Sequence, residues 1–227
     1  MLAQIVLFDG FDPLDVIAPY EVLGAGGVIA GGALEVELVS AEGPREVPSG
    51  IGPLSLRATA ALDPARAGLV VVPGAAGRLP DGPVDVPEDG VQARLAAAAR
   101  TGLPALVGEA LDRPGVTVAT VCGGSLVLAL AGLLVGRTAT TNHLGLDALA
   151  ATGAQAVAAR VVDDGDLVTA AGVTSGIDLG LYLLERELGP RIAHEAERLF
   201  AHERRGTVWR DVGVAPVGRS GAVAGAA

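Results

Sequence analysis

One stretch, residues 116–134, joins two hydrophobic patterns of different kinds around the only cysteine of the chain. Before Cys122, valines recur in a short β-branched run that favours a strand buried inside a sheet. The apolar run 126–135 is too long for an ordinary strand and indicates a buried helix. Gly123 and Gly124 allow the sharp strand-to-helix turn that exposes a nucleophile at the edge of a sheet. The stretch therefore predicts an α/β fold with a nucleophile elbow at Cys122.

The cysteine itself has two interpretations. At a helix N-terminus, the macrodipole and the free amide groups would favour the thiolate over the thiol and make Cys122 reactive. A lone cysteine is equally often a small buried hydrophobic side chain without chemistry. One cysteine forms no intramolecular disulfide, and the histidines at 143, 194 and 202 lack compact metal-ligand spacing, so we expect no metal site.

The charge and hydropathy of the chain exclude several classes of function. Asp and Glu number 26 against 16 cations, which argues against binding of nucleic acid through its phosphates. All the cations are Arg, so lysine-based Schiff chemistry is excluded. The N-terminus has no signal-peptide pattern and no apolar run reaches membrane-spanning length, so we expect a cytoplasmic protein without a membrane partner.

Apolar strands alternate with helical patterns along most of the chain. Strands are predicted at 2–8, 34–41, 69–72, 116–121, 137–141, 157–162 and 167–172; helices are predicted at 15–24, 91–100, 104–112, 126–135 and 142–153, after Thr174 and from Pro190. This alternation predicts a doubly wound, mostly parallel, flavodoxin-like sheet sandwiched by helices. We expect a minor hairpin near 43–53, a surface loop at 78–90, one domain over 1–205 and a partly disordered tail over 206–227.

Three loops follow predicted strands of this sheet, at 9–15, 73–78 and 122–125. The carboxyl ends of parallel strands lie at one edge of a sheet, and that edge is where doubly wound folds bind their ligands. The three loops are therefore expected to meet around Cys122.

These motifs, in this order, resemble the PfpI/ThiJ superfamily. The resemblance runs from about residue 2 to about residue 200 and rests on an acidic helix start at 14–23, a Pro-Gly loop at 72–77, the Cys-Gly-Gly-Ser elbow at 122–125, the sequence GRTATT at 136–141 and a late helix start at 172–178. Within the superfamily, the chain is most similar to the branch of isonitrile hydratases and of the ligand-binding domains of some AraC-type regulators. The resemblance implies a homodimer that acts on a small molecule.

The resemblance also implies roles for two side chains. Cys122 would be the nucleophile, and Asp15 would be the carboxylate beside its sulfur, acting as general acid and base. Burial would keep Asp15 protonated and allow it to hydrogen-bond the thiolate. Without the resemblance, Asp15 is also explained as a helix N-cap or first-turn acid.

Backbone amides complete the predicted site. Those of Gly74, Ala75 and Gly123 are candidates for binding an anionic or polar atom of the substrate, because amides on tight loops point outward without a side chain in the way. The glycines are equally explained by the needs of the turns alone.

The chain departs from the superfamily pattern at two positions. Gly123 stands where the branch commonly has Thr, or His in protease-like members, so residue 123 offers neither hydroxyl nor imidazole. Asn142 stands where a histidine usually follows the Thr-Thr pair. His143 comes one place later, and a shift of one residue near a helix start turns its side chain to another face.

Three functions compete at this stage. The first is hydration of an isonitrile to an N-substituted formamide through a covalent Cys122 intermediate, which needs no cofactor. The second is a glyoxalase or amidase activity of the same superfamily. The third is a ligand or redox sensor without catalysis, which the absence of a hydroxyl at Gly123 keeps open.

Overall fold

The structure is a computed structural model that describes residues 1–79 and 87–214. Its strands are β1 (Leu2–Val6), β2 (Glu35–Ser40), β3 (Arg45–Pro48), β4 (Ser55–Ala58), β5 (Ala60–Ala61), β6 (Leu69–Val72), β7 (Thr117–Val121), β8 (Thr138–Ala139), β9 (Gln155–Ala156), β10 (Val161–Asp163) and β11 (Leu167–Ala170). Its helices are α1 (Pro13–Ile29), α2 (Val91–Ala98), α3 (Leu103–Leu111), α4 (Gly124–Leu130), α5 (Leu146–Ala151), α6 (Ser175–Leu188) and α7 (Pro190–Phe200), with a 3-10 turn at His143–Gly145 before α5.

A seven-stranded sheet forms the centre of the molecule, in the order β10-β11-β7-β6-β1-β2-β5. Every pairing in it is parallel except that of β10 with β11. Strands β6 and β7 are buried along their whole length, as expected for strands covered on both faces. The predicted mostly parallel, doubly wound sheet is confirmed.

Helices cover the sheet on two sides. From β1 the chain crosses to β2 in one direction, and from β6 it crosses to β7 in the other. Because parallel crossovers are right-handed, α1 and α3 lie on opposite faces. Helices α6 and α7 pack with α1, whereas α2 and α3 pack with α4. The direction of the chain crossovers therefore reverses between β1 and β6. The loops after these two strands flank a crevice at the carboxyl ends of the strands, the usual ligand-binding place in such folds.

Several predicted elements differ in extent. Helix α1 runs on to Ile29, so Pro19 lies inside it and not in its first turn, while Asp12 is its N-cap. Helix α4 begins at Gly124 and ends at Leu130, before the end of the predicted 126–135 run. The apolar residues beyond it form a glycine-rich turn, and hydrophobicity alone gave no sign of that turn. The predicted hairpin is formed by β3 and β4.

Two predicted segments, the surface loop at 78–90 and the tail at 206–227, are described only in part. Trp209, beyond the predicted domain end at 205, exchanges backbone hydrogen bonds with the edge strand β10 through Val161 and Asp163. Residues 80–86 of the predicted surface loop and 215–227 of the predicted tail lie outside the described residues. Among the described residues, no helix is both long and apolar enough to span a membrane.

Candidate active site

Cys122 lies on a strained turn between β7 and α4. Its φ of 54° is in the left-handed region, which a non-glycine residue rarely adopts. Its amide donates to the Ala170 carbonyl of β11 over 3.0 Å, which fixes the turn to the sheet. A Cβ atom on Gly124 would lie 2.2 Å from the Val72 carbonyl oxygen, so α4 starts this close to β6 only with glycine there. The geometry is the predicted nucleophile elbow.

Asp15 lies in the first turn of α1 and is completely buried. Its Oδ2 accepts a hydrogen bond of 2.9 Å from the Gly74 amide. Its Oδ1 is also buried, and among the described residues it has no hydrogen-bond partner. A Cβ atom on Gly74 would lie 2.8 Å from Asp15 Oδ2 and close to the Gly123 nitrogen, so the carboxyl group lies beside the turn that holds Cys122. The structure therefore brings together the acid and the cysteine that the sequence predicts.

The three predicted amide donors are not equivalent. The Gly74 amide donates to Asp15 in this structure, and its role in binding a substrate atom stays a prediction. A Cβ atom on Gly74 would lie 2.5 Å from the Gly123 nitrogen, so this residue brings the two loops into contact. The Gly123 amide is directed at the Cys122 sulfur. The Ala75 amide makes no hydrogen bond within the described residues and remains available.

Two residues after β8 hold the elbow from the other side. Asn142 Nδ2 lies 3.6 Å from the Cys122 sulfur, and Asn142 Oδ1 caps the following 3-10 turn by accepting from the Leu144 amide. Thr141 Oγ1 donates to the Cys122 carbonyl over 2.7 Å. The sequence predicts Asn142 as the start of a helix and as a departure from the superfamily pattern, without placing it beside the sulfur. Its position after the Thr-Thr pair was the signal that it lies beside the sulfur.

A buried hydroxyl chain fixes the first turn of α4. Thr120 and Ser125 share a hydrogen bond of 2.6 Å, and Ser125 Oγ donates to the Thr140 carbonyl over the same distance. The Thr140 amide in turn donates to Thr169 Oγ1 of β11 over 2.8 Å. Because all four are buried, these bonds are shielded from water and define one position for the elbow.

Burial dominates the ionisation of the pair. It raises the pKa of the Cys122 thiol to about 12, with the charge of Asp15 adding to the rise and the Gly123 amide and Asn142 opposing it. Burial likewise raises the pKa of Asp15 well above its ordinary value, helped by the charge of Asp12 and opposed by hydrogen bonding to the Gly74 amide and to Cys122. The expected preference for thiolate is wrong in direction, because the loss of solvation outweighs the helix terminus. The resting site holds a thiol beside a carboxyl group of raised pKa.

Histidines do not enter this arrangement. His143 and His194 are exposed, and His202 hydrogen-bonds Asp178 at the end of α7. Across residues 1–79 and 87–214, no group of three or more His, Cys, Asp or Glu side chains is placed to hold a metal ion.

Comparisons with known proteins find a family model and several relatives that match part of this chain. A family model described as the DJ-1/PfpI family matches residues 90–186. Isonitrile hydratase of Pseudomonas putida is 50% identical over 72 residues, 32% of this chain and 32% of that protein. The HTH-type transcriptional regulator CdhR of Pseudomonas aeruginosa is 41% identical over 105 residues, 44% of this chain and 31% of that protein. The chain thus aligns with less than a third of either relative's length.

A solved structure extends the likeness to nearly the whole chain. The crystal structure of a ThiJ/PfpI family protein from Pseudomonas syringae superposes with a TM-score of 0.72 and 28% identity. The superposition covers 90% of this chain and 76% of that protein. Residues 90–186 therefore match the DJ-1/PfpI family, and the chain shares the fold of the DJ-1/ThiJ/PfpI superfamily.

Proposed function

We propose that this protein is a cysteine-dependent enzyme that hydrates a small isonitrile to an N-substituted formamide. The observation that supports this most strongly is the buried pair of Cys122 and Asp15, in which one carboxylate oxygen has no partner among the described residues. An unpartnered buried oxygen is costly, and it is compensated when a reacting group binds to it. The partial match to isonitrile hydratase indicates which reacting group this is.

The chemistry needs one proton carrier and one nucleophile. The Asp15 carboxylate takes the thiol proton while the Cys122 sulfur bonds to the terminal carbon of the isonitrile, and the acid so formed delivers that proton to the same carbon. The product is a thioimidate in which sulfur, hydrogen and nitrogen are all bonded to that carbon. No cofactor is consumed.

Water then completes the turnover. Asp15 removes a proton from water as its oxygen adds to the thioimidate carbon, and the nitrogen is protonated. The carbon–sulfur bond breaks as the carbonyl forms, the formamide leaves and the sulfur regains its proton. A carboxyl group of raised pKa suits both directions of transfer, since its acid and base forms are closer in energy near neutral pH.

Three hydrogen-bond donors can stabilise the charge that develops during these steps: the Asn142 side chain and the amides of Gly123 and Ala75. Asn142 Nδ2 and the Gly123 amide stabilise negative charge on sulfur, because both lie against it. The Ala75 amide is the remaining candidate for a polar atom of the substrate. Gly74 positions Asp15 instead.

The test is turnover of a panel of alkyl and aryl isonitriles, followed as formamide by mass spectrometry, with methylglyoxal as a competing substrate. We expect formamide from the natural chain and none from Cys122→Ala. Leu199→Ala, an exposed residue on α7, is the control and should act normally. Formation of lactate alone, or formamide formation that survives Cys122→Ala, would overturn the proposal.

A second candidate is a sensor without turnover. The 41% sequence identity to a transcriptional regulator over 105 residues favours it. In that case a ligand or an oxidant acts on Cys122 and is not released as product. Intact mass after mild peroxide treatment would show oxygen addition at the single cysteine. Oxidation together with no turnover on the whole panel would favour this candidate over the enzyme.

A further inference from the structure

The segment between β6 and β7 places a leucine over the elbow. Leu95 of α2 is buried, and a Cβ atom built on Gly123 would lie 2.8 and 3.0 Å from its two Cδ atoms. The space directly above the residue after the nucleophile is therefore occupied by another element of the chain. A side chain at 123 would need part of the space that Leu95 fills, so the Leu95 side chain would have to move.

The neighbouring residue holds α2 in this position. Arg94 Nη1 donates to the Ala76 carbonyl over 2.6 Å. The Arg94 side chain lies so close to Gly10 and Gly50 that a Cβ atom on either would come within 2.5 Å of it. One arginine therefore fixes α2 against the loops that follow β1, β3 and β6. Because those loops surround the crevice, Leu95 has a defined place in it.

We infer that Leu95 is a specificity-determining residue. Because residue 123 has no side chain, Leu95 limits the size of the substrate that can reach the Cys122 sulfur. This inference rests on the proposed function, which gives the substrate class. Leu95 narrows that class to isonitriles with a short, unbranched aliphatic substituent. An aliphatic side chain at this place offers apolar contact and no hydrogen bond. Polar recognition is left to Asp15, Asn142 and the Ala75 amide.

Access to the sulfur can be measured without enzyme turnover, because Cys122 is the only thiol that a cysteine reagent can modify. Rates of Cys122 modification by a small reagent, methyl methanethiosulfonate, and a bulky one, N-benzylmaleimide, are compared by intact mass. Leu95→Ala should raise the ratio of bulky to small rates about tenfold, the usual effect of a few methyl groups in an apolar pocket. Leu95→Val, a milder change, should give a smaller rise in the same direction. Leu103→Ala, which removes the same atoms from buried α3, should leave the ratio unchanged.

A coupled pair of substitutions tests the exclusion directly. Gly123→Thr should slow modification by both reagents about tenfold in the natural chain and much less in the Leu95→Ala background, because the threonine then fills the vacated space. Equal slowing in both backgrounds would overturn the inference. So would an unchanged ratio in Leu95→Ala, or an equal rise in Leu103→Ala.

The outcomes separate this inference from the proposed function. If the ratio shifts while no isonitrile is hydrated, Leu95 limits access and the proposed reaction is wrong. If formamide forms while the ratio stays fixed, the reaction stands and the role of Leu95 is wrong. If both hold, Leu95→Ala should also extend turnover from ethyl to tert-butyl isonitrile.

Discussion

Two buried aspartates lie at equivalent places in this fold but differ in their hydrogen-bond partners. Asp15 lies in the first turn of α1 and Asp178 in the first turn of α6, and both are almost or fully inaccessible. Asp178 is completely paired: its Oδ2 accepts from Arg160, and its Oδ1 lies within hydrogen-bond distance of His202 Nε2 and accepts from the Arg205 amide. Among the described residues, Asp15 has one amide donor, no cation, and one oxygen without a hydrogen-bond partner.

We propose that this difference separates a structural carboxylate from a reactive one. A buried carboxylate with a cation and two further bonds keeps its charge and ties distant segments together, here α6, the start of β10 and the end of α7. A buried carboxylate without a cation is held at a cost in folding free energy, and its pKa rises. This contrast is the reason why the proposed function assigns proton transfer to Asp15.

The largest expected effect is on turnover when Asp15 is changed. Asp15→Asn keeps the shape and the oxygen that accepts from Gly74 but removes the proton carrier. Formamide production should fall by about 10² to 10⁴ in kcat, the usual contribution of a positioned acid or base. Asp178→Asn should retain activity per folded molecule. Comparable losses of kcat in the two variants would erase the distinction between the aspartates.

The reverse result is expected for stability. Asp178→Asn leaves Arg160 without its carboxylate, and Arg160 is only partly exposed, with 23% of its side chain accessible. The free energy of unfolding should fall by about 2–4 kcal/mol, since an uncompensated charge remains. Urea denaturation followed by circular dichroism measures this. Double substitution of Asp178→Asn with Arg160→Met should recover part of the loss; no recovery would mean that the ion pair is not what stabilises this region.

Asp15→Asn should stabilise the protein at neutral pH by about 1–3 kcal/mol, because the burial of an ionisable carboxyl group is relieved. The sign follows from the raised pKa of Asp15: the folded chain holds this proton more tightly, so natural stability falls as pH rises from the ordinary carboxyl range through the raised value. Below that range the two proteins should unfold at equal temperatures. A thermal-unfolding difference that is independent of pH would show that Asp15 acts through packing only.

The smallest expected effect concerns Asn142, which combines capping with contact to sulfur. Asn142→Ala should lower kcat/KM about tenfold or less and cost about 1 kcal/mol of stability through the lost cap. Asn142→Asp retains an acceptor for the Leu144 amide but loses the donor to sulfur and adds negative charge. Its stability should therefore be closer to natural while its turnover falls further. Equal turnover in both variants would limit Asn142 to capping.

Much of the fold and part of the site could be predicted from sequence, for identifiable reasons. Strands such as β6 and β7 are buried on both faces and leave continuous apolar runs, and the glycines after Cys122 mark the elbow. The loop that ends at Asp15 could be placed near Cys122 because loops after parallel strands share an edge, and the resemblance to the superfamily placed the carboxyl group beside the sulfur.

Properties that depend on three-dimensional distance could not be predicted in the same way. Whether Gly74 is free depends on which acceptor lies 2.9 Å away, and Leu95 reaches Gly123 from a segment that has no recognisable motif. The direction of the Cys122 pKa depends on burial competing with a helix terminus, and sequence shows only the terminus.

The central claim, that Asp15 stands beside the thiol as a charge-bearing base, is tested most directly by titrating the single cysteine in the natural protein and in Asp15→Asn. The rate of alkylation is measured against pH over the range in which circular dichroism shows the fold intact. We expect the natural thiol to titrate well above an ordinary cysteine, towards about 12, and the variant to titrate lower while losing turnover, because the neighbouring negative charge is gone. An equal or higher thiol pKa in Asp15→Asn would contradict the account.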